Sequence, residues 1–305
     1  MRIIETIAEM RKLRRESRRV SLVPTMGFLH QGHQRLIAEA AERGGLTLVS
    51  IFVNPLQFGP DEDYDRYPRD LARDVAAARS AGADVVFAPA VSEMYPAGAS
   101  TTRIDLGPIT QVLCGRTRPV HFSGVATVVA KLFHIVRPDF AFFGAKDAQQ
   151  VAVVRRMVRD LNFDVDVVRV PTVREANGLA CSSRNRYLTD EERERAGSLF
   201  RALTAAQSLY IEGERRQAAL IDRVLVIVGA AAISPEYVEV RSWDRLDQVG
   251  ETLDERPVLL ALAARIGRAR LIDNVLLGTD REEQPAEGEH RRGSFARDQS
   301  DQGRG

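Results

Sequence analysis

Apolar and polar residues alternate along the first half of the chain in blocks typical of strands and helices in turn. Short continuous apolar runs are typical of strands buried on both faces, and longer stretches with an apolar residue every three or four positions are typical of amphipathic helices. No element is predicted before residue 20. The predicted strands cover 20–23, 46–53, 83–87, 139–143 and 165–170, and the predicted helices cover about 32–43, 69–80, 123–136 and 147–161. This repetition favours an α/β fold, a parallel sheet with helices on both faces.

The pattern changes after Pro171. A polar loop at 175–186 precedes two long helical stretches, and three strand-like runs follow; the helices are predicted at 190–211 and 215–229, and the strands at 237–241, 258–266 and 270–276. We expect a first domain over 1–172 and a smaller α+β domain over 173–278. Residues 279–305 carry almost no apolar side chains and are expected to form a disordered tail.

Composition narrows the class of protein. With 44% apolar and 28% charged residues, the chain has the composition of a soluble globular protein, and its formal charge of +1 argues against nucleic acid or an anionic membrane as partner. Cys114 and Cys181 match no metal-ligand spacing, which fits a reducing compartment. The beginning of the chain lacks the uncharged core of a signal peptide, and no apolar run is long enough to span a bilayer. A cytoplasmic protein is expected.

The segment at 24–33 is predicted to run from a strand through a glycine-bearing turn into a helix. His30 and His33 then lie on one face of the first helical turn, where free backbone N–H groups favour an anion. Two imidazoles at this position can stabilise charge on a phosphoryl group during displacement. The alternatives are a partial metal site or a solvated helix end.

Asn54 and Gln57 follow the second predicted strand. Their amides could bind a neutral or carboxylate-bearing substrate without adding charge. Alternatively, they satisfy backbone groups at the turn.

A third turn follows the strand at 139–143. Lys146, one of only three lysines, is expected at a helix N-terminus, where a cation is unfavourable unless an anion binds there. Asp147 could equally be a helix cap. Gln150, one helical turn further on, is expected to face the same cleft.

The loop after residue 172 carries Ser182, Ser183 and Arg184, which suit a polyphosphate clamp that is open without ligand. Cys181, beside this arginine, is expected to have some thiolate character. The alternative is a solvated linker leading to a helix cap at Thr189 or Asp190. A parallel sheet would bring all of these turns together at the carboxyl ends of its strands.

Five ordered motifs resemble the pantothenate synthetase (pantoate–β-alanine ligase) family. They read PTMGxLHxGH at 24–33, SIFVNPxQF at 50–58, HFxGVxTVVxKLFxIVxPD at 121–139, FGxKDxQQ at 143–150 and VPTVRExxGLAxSSRNRYL at 170–188. The resemblance covers residues 1 to 278. It implies a Rossmann-like, doubly wound nucleotidyltransferase domain of the HIGH type, a small C-terminal lid domain, and a homodimer.

The resemblance also implies a reaction. ATP would activate pantoate as pantoyl adenylate, and β-alanine would then give pantothenate, AMP and pyrophosphate. Mg²⁺ is expected on the phosphates, held largely by ATP rather than by a cluster of protein ligands. Catalysis would rest on His33, His30 and Lys146. Gln57 and Gln150, with Asn54, would bind the substrates. The implied ATP-binding residues are Met26, Gly27, Phe28, Leu29, His30, Gln31, Gly32, His33, Gly144, Ala145, Lys146, Asp147, Val173, Cys181, Ser182, Ser183 and Arg184.

Three residues depart from the family pattern. Cys181 stands where methionine is usual, Asn177 where aspartate is common, and Val120 where glycine usually precedes the His-Phe pair. A competing function is that of another HIGH-type nucleotidyltransferase, although two substrate amides argue against a phosphorylated acceptor. A nucleotide sensor or RNA-binding module would need a basic face or a run of stacking aromatic residues, and the sequence has neither.

Overall fold

The central element of the fold is a six-stranded, wholly parallel sheet. The computed structural model describes residues 1–60, 62, 64–96, 98 and 102–279. The strands are β1 (Arg2–Ile4), β2 (Val20–Thr25), β3 (Leu46–Ile51), β4 (Val85–Phe87), β5 (Phe140–Gly144) and β6 (Asp166–Val170). Their order in the sheet is β1-β4-β3-β2-β5-β6, and every neighbouring pair is parallel.

Helices cover both faces of this sheet, as the continuous apolar strands predict. The helices of this part of the chain are α1 (Ile7–Glu16), α2 (Gln31–Glu42), α3 (Leu71–Ser80), α4 (Val91–Met94), α5 (Cys114–Thr117), α6 (His121–Val136) and α7 (Ala148–Asp160). Val23, Val49 and Phe142 pack on one face with α2 and α3. Their neighbours Leu22 and Phe143 point to the other face and pack with α6 and α7.

The strand order contains a reversal between β2 and β5. From β2 the chain winds outward through β3 and β4, and it then crosses back to place β5 on the other side of β2. Helices that leave β2 and β5 therefore diverge, and a crevice opens at the carboxyl ends of these two strands. Ligands of doubly wound sheets bind at such a reversal.

The C-terminal part of the chain folds as a three-stranded antiparallel sheet with two long helices. Leu260 and Leu262 of the central strand pack toward the helices, whereas Leu259 and Ala261 pack into the core of the parallel sheet. The small sheet is therefore attached to the large one through apolar contacts. Its elements are α8 (Asp190–Ile211), α9 (Gln217–Ala230), β7 (Pro235–Ser242), β8 (Val258–Ile266) and β9 (Ala269–Leu277).

The predicted fold class is confirmed, with differences at element ends and at the N-terminus. The strand predicted at 46–53 ends at Ile51, and the helix predicted from 123 begins at His121. Residues 1–19, for which no element is predicted, form β1 and α1, and β1 pairs with the distant β4. Among the described helices none is long and apolar enough to cross a membrane. The domain boundary at residue 172 stays a prediction, and all but the first residue of the predicted tail at 279–305 lies outside the described residues.

Candidate active site

Three of the predicted turns meet at the carboxyl edge of the parallel sheet. The turn at 26–30 follows β2, the turn at 52–57 follows β3, and the turn at 144–147 continues β5. Thr25 at the end of β2 pairs in register with Ile51 at the end of β3. Since β5 lies on the other side of β2, the turn after β2 is central among the three.

The two histidines of the first turn form a reciprocal cap on α2. His30 is the N-cap residue, and its Nδ1 accepts the N–H of Gly32 at 3.1 Å. The Nδ1 of His33 accepts the N–H of His30 at 3.3 Å, and the two ring centroids are 4.1 Å apart. Because each Nδ1 accepts a hydrogen bond, the ring proton of each neutral imidazole is on Nε2. Both rings can therefore donate one hydrogen bond to a ligand.

Both imidazoles are neutral near pH 7. Burial and then the charge of Lys146 lower the pKa of His30 to about 4. Burial and then the neighbouring His30 lower the pKa of His33 to about 3. The described residues contain no group of three or more His, Cys, Asp or Glu side chains that could hold a metal ion.

Asn54 is fully buried, and its amide is occupied by protein partners. Its Nδ2 donates to Gln57 Oε1 and to the carbonyl of Gly124, each at 3.1 Å. Its Oδ1 accepts the hydroxyl of Tyr95 at 2.8 Å and the N–H of Leu56 at 3.3 Å. This geometry supports the alternative considered above, in which Asn54 organises the turn.

The hydrogen bond from Asn54 orients the Gln57 amide, and the Nε2 of that amide keeps a contact that a ligand could replace. Its Nε2 lies 2.9 Å from the Sδ of Met26, a weak acceptor that a ligand oxygen can replace. The turn packs closely on α6, because a Cβ added at Gly124 would lie 2.3 Å from the Leu56 carbonyl oxygen. Only glycine allows this approach, which explains the glycine three residues after His121.

The turn after β5 is held by the small sheet. Lys146 Nζ lies 3.4 Å from Asp147 Oδ1. Asn274 of β9 donates its Nδ2 to the carbonyls of Ala145 and Lys146 at 3.1 and 2.9 Å. Asp147 is the N-cap residue of α7, but its side chain makes no capping hydrogen bond. The carboxylate is therefore free to face the cleft beside the lysine.

The loop after β6 lies against the N-terminus of α2. Arg186 stacks over the Phe28 ring with 5.0 Å to the centroid, and a Cβ added at Gly32 would lie 4.0 Å from the Cβ of Cys181. The Cys181 N–H donates to the carbonyl of Val173 at 2.9 Å. The loop therefore packs against α2, and its opening in the absence of ligand stays a prediction.

The expected thiolate character of Cys181 is wrong. Burial, and then the charge of Glu175, raise the pKa of this thiol. Glu175 does not act alone in the loop, since it accepts from Asn185 at 2.7 Å and pairs with Arg193 at 2.8 Å. These contacts fix the loop to α8 and place a carboxylate, rather than an unpaired cation, near the sulfur.

A cavity of about 440 Å³ separates the edge of the parallel sheet from the small sheet. Five predicted residues line it: Lys146, Asp147, Gln150, Ser182 and Arg184. His30 and His33 do not line it; they lie beside it at α2, where Lys146 still lowers the pKa of both. Lys146 thus links the histidine pair to the cavity.

Sequence reasoning gave no role to several polar residues of this cleft. His121 contacts the carbonyl of Gln57 through Nδ1 at 3.0 Å, and burial followed by the charge of Arg118 lowers its pKa to about 4. Arg118 makes a two-fold contact with Glu62 at 2.9 and 2.5 Å. The sequence does point to His121, which begins the motif at 121–139 and follows Arg118 by three residues.

Two of the departures from the family pattern have a structural account. Asn177 accepts the N–H of Leu179 at 3.1 Å and donates Nδ2 to the carbonyl of Arg193 at 2.8 Å, a donation that aspartate could not make. Val120 has a φ of −91°, which any residue adopts, so glycine is not required before His121. Nothing in the contacts explains why cysteine stands at position 181.

Comparisons with known proteins identify the family. A family model described as pantoate-beta-alanine ligase matches residues 2–276. A pantothenate synthetase of Geobacter sulfurreducens is 52% identical over 92% of this chain and 100% of its own length. One from Pelotomaculum thermopropionicum is 51% identical over 91% of this chain and 99% of its own length.

Solved structures agree with the sequence relatives. The crystal structure of pantothenate synthetase from Thermus thermophilus has a TM-score of 0.84 at 46% identity, covering 92% of this chain and 100% of that one. A pantoate-beta-alanine ligase from Francisella tularensis, solved in complex with beta-gamma ATP and beta-alanine, has a TM-score of 0.72 at 32% identity and covers 92% and 99% of the two chains. By sequence and by structure, this chain belongs to the pantoate–β-alanine ligase family and is a ligase.

Proposed function

We propose that the protein joins pantoate to β-alanine in an ATP-dependent reaction that passes through pantoyl adenylate. One observation carries the proposal: two neutral histidines with Nε2 protons adjoin Lys146 at the reversal between β2 and β5. These groups suit the α-phosphate and the departing pyrophosphate of ATP. The Francisella relative in complex with an ATP species and beta-alanine supports the same substrates here.

In the first step, a carboxylate oxygen of pantoate attacks the α-phosphorus of ATP, and the bond to the β-phosphate oxygen breaks. Charge then grows on the α-phosphoryl oxygens and on pyrophosphate. His30 and His33 donate Nε2–H bonds to this charge, and Lys146 contributes a cation. Preorganised donors of this kind are often the largest single contribution to catalysis.

In the second step, the amine of β-alanine attacks the carbonyl carbon of the adenylate. The C–O bond to the phosphate breaks, AMP leaves with that oxygen, and the nitrogen loses a proton. Gln57 and Gln150 hold pantoate through neutral amides, and Asn54 positions Gln57. Since the mixed anhydride is sensitive to water, the loop at 181–187 has a reason to lie over the site.

Mg²⁺ would enter with ATP as part of the substrate. Magnesium keeps several of its waters and is usually bound by substrate phosphates with few carboxylates. The chemistry of the site fits this use, because the half-exposed carboxylate of Asp147 lies beside Lys146 in the cavity.

We further infer that the protein works in the cytoplasm as a homodimer. The inference rests on the family to which the chain belongs and on its small, charged substrates. Sedimentation equilibrium of the full chain should give twice the mass of one copy, and a single-copy mass at every concentration would contradict the homodimer.

Labelled oxygen tests the adenylate directly. With ¹⁸O in the pantoate carboxyl group, one labelled oxygen should appear in AMP when β-alanine is present. Without β-alanine, pantoate should support exchange of radiolabel between pyrophosphate and ATP. Another nucleotidyltransferase would release pyrophosphate without any dependence on an amine. Unlabelled AMP would rule out attack by the carboxylate.

A further inference from the structure

Asp74 is a buried carboxylate outside every motif described above. It lies on α3 with 1% of its surface exposed. Its Oδ2 accepts the N–H of Phe28 and its Oδ1 accepts the N–H of Leu29, each at 2.7 Å. Hydrogen bonds to a carboxylate at this length are among the stronger ones in proteins. The side chain thus holds two successive amides of the turn that leads from β2 to His30.

This turn has a backbone conformation that needs support. Gly27 and Phe28 have φ values of +81° and +51°, so two successive residues adopt left-handed conformations. For Phe28, which carries a side chain, the left-handed conformation costs free energy, and it persists only where surrounding contacts stabilise it. A Cβ added at Gly27 would lie 2.7 Å from Asp74 Oδ2, so the carboxylate also requires glycine there.

The neighbouring residue of α3 strengthens the same contact. Arg73 stacks over the Phe28 ring with 4.3 Å to the centroid, and its Nη2 donates to the Leu29 carbonyl at 3.3 Å. Phe28 and Leu29 are therefore held through backbone and side chain by one turn of α3. The next residue, His30, is the N-cap of α2.

We propose that Asp74 is a positioning residue that fixes the turn at 27–29 and thereby the direction of the His30 and His33 rings. The positioning role itself does not depend on the function proposed above, but the expected fall in kcat does rest on that function. The hydrogen bonds between Asp74 and the turn determine where α2 begins, and the reciprocal histidine cap determines where each Nε2–H points. A small displacement of the turn would move both donors together.

The Asp74→Asn variant tests the proposal. The amide keeps the shape of the side chain, but it can accept only one of the two N–H groups and presents its own donors to the other. We expect kcat to fall by about 10²-fold, the size typical for a misplacement of the order of an ångström. The ratio kcat/KM for β-alanine should stay unchanged, because this ratio reports the second step, in which the amine reacts.

Asp70→Ala is the matched control. Asp70 caps the same helix by accepting the N–H of Arg73 at 3.0 Å and does not touch the turn. Asp70→Ala should lower the melting temperature but should leave kcat close to that of the native enzyme. Equal loss of kcat in both variants would show that Asp74 only stabilises α3.

Histidine NMR separates this proposal from the function itself. The chain has five histidines, so single substitutions can assign each titration. In Asp74→Asn, the titrations of His30 and His33 should move upward from about 4 and about 3, because a displaced turn exposes both rings and burial is the largest cause of their lowered pKa values. In Gly27→Ala, the added methyl group would displace the Asp74 carboxylate from the turn, so this variant should give the same shifts. It replaces Asp74→Asn in the experiment if that variant does not fold. Unmoved titrations in a folded variant would overturn the proposal whatever substrate the enzyme uses.

Discussion

Single residues decide the charge state of this site. His30 and His33 are neutral donors because burial lowers their pKa, and because their Nδ1 atoms accept backbone N–H groups. The sequence alone places both histidines at a helix start, but it cannot show which nitrogen carries the proton. It also cannot find Asp74, since a single aspartate on an alanine-rich helix gives no sign of the turn it contacts.

His33→Ala should lower kcat by about 10²–10³ while the fold stays intact, because one preorganised donor to the transition-state charge is lost. Steady-state rates of AMP formation and a circular dichroism melt measure the two effects. His134→Ala is the control, since His134 is exposed near the C-terminal end of α6. A first step as fast in His33→Ala as in the native enzyme would show that the phosphates bind elsewhere.

The lowered histidine pKa values also set how stability depends on pH. The folded-state pKa values, about 4 for His30 and His121 and about 3 for His33, lie below the ordinary 6.5. The unfolded chain therefore binds protons in this range that the folded chain does not. The free energy of unfolding should therefore be fully developed above about pH 6.5 and should fall as the pH decreases below it.

Urea midpoints measured between about pH 7 and about pH 5 check this slope. Replacing His30 and His33 together by glutamine should make the slope shallower. A double variant with the full native slope would show that these two rings are not the neutral, partly buried groups described here.

At the scale of elements, the loop at 181–187 and strand β9 close the site from the C-terminal side. The sequence predicts both segments but not their contacts, because hydrogen bonds between residues more than a hundred positions apart leave no periodic signal. The raised pKa of the Cys181 thiol has a local cause, in burial and in the charge of Glu175, and periodicity does not show this either.

Cys181 should react slowly with iodoacetamide near neutral pH, and faster as the pH rises, because burial raises its pKa. ATP with Mg²⁺ should slow the reaction further by holding the loop against α2. Mass spectrometry of the labelled peptide measures the rate, with the buried Cys114 as internal reference. Cys181→Met should keep activity and lose sensitivity; rapid labelling that ATP does not affect would contradict the packing of this loop.

Asn274→Asp tests the contact between the small sheet and the lysine turn. The carboxylate has the same shape but cannot donate to the carbonyls of Ala145 and Lys146. With two hydrogen bonds lost at about 0.5–1.5 kcal/mol each, the KM for ATP should rise and the melting temperature should fall. Asn274→Gln, which keeps the donor, should be milder. Identical kinetics in all three proteins would mean that β9 does not hold Lys146.

At the scale of the whole molecule, the order of the strands brings the chemistry together. The repeated β–α pattern is enough to predict a parallel sheet, and the motifs at its strand ends predict where a ligand binds. The pairing of β1 with β4 and the attachment of the small sheet through Leu259 and Ala261 could not be predicted, because both depend on contacts between distant segments.

AMP formation from ATP and pantoate, measured with and without β-alanine, distinguishes a pantoate–β-alanine ligase from any other nucleotidyltransferase. We expect sustained AMP release only when all three substrates are present. Without β-alanine, pantoate should support only the formation of enzyme-bound adenylate and the release of about one pyrophosphate per active site. Equal turnover without β-alanine, or none when pantoate is the acid, would contradict the account.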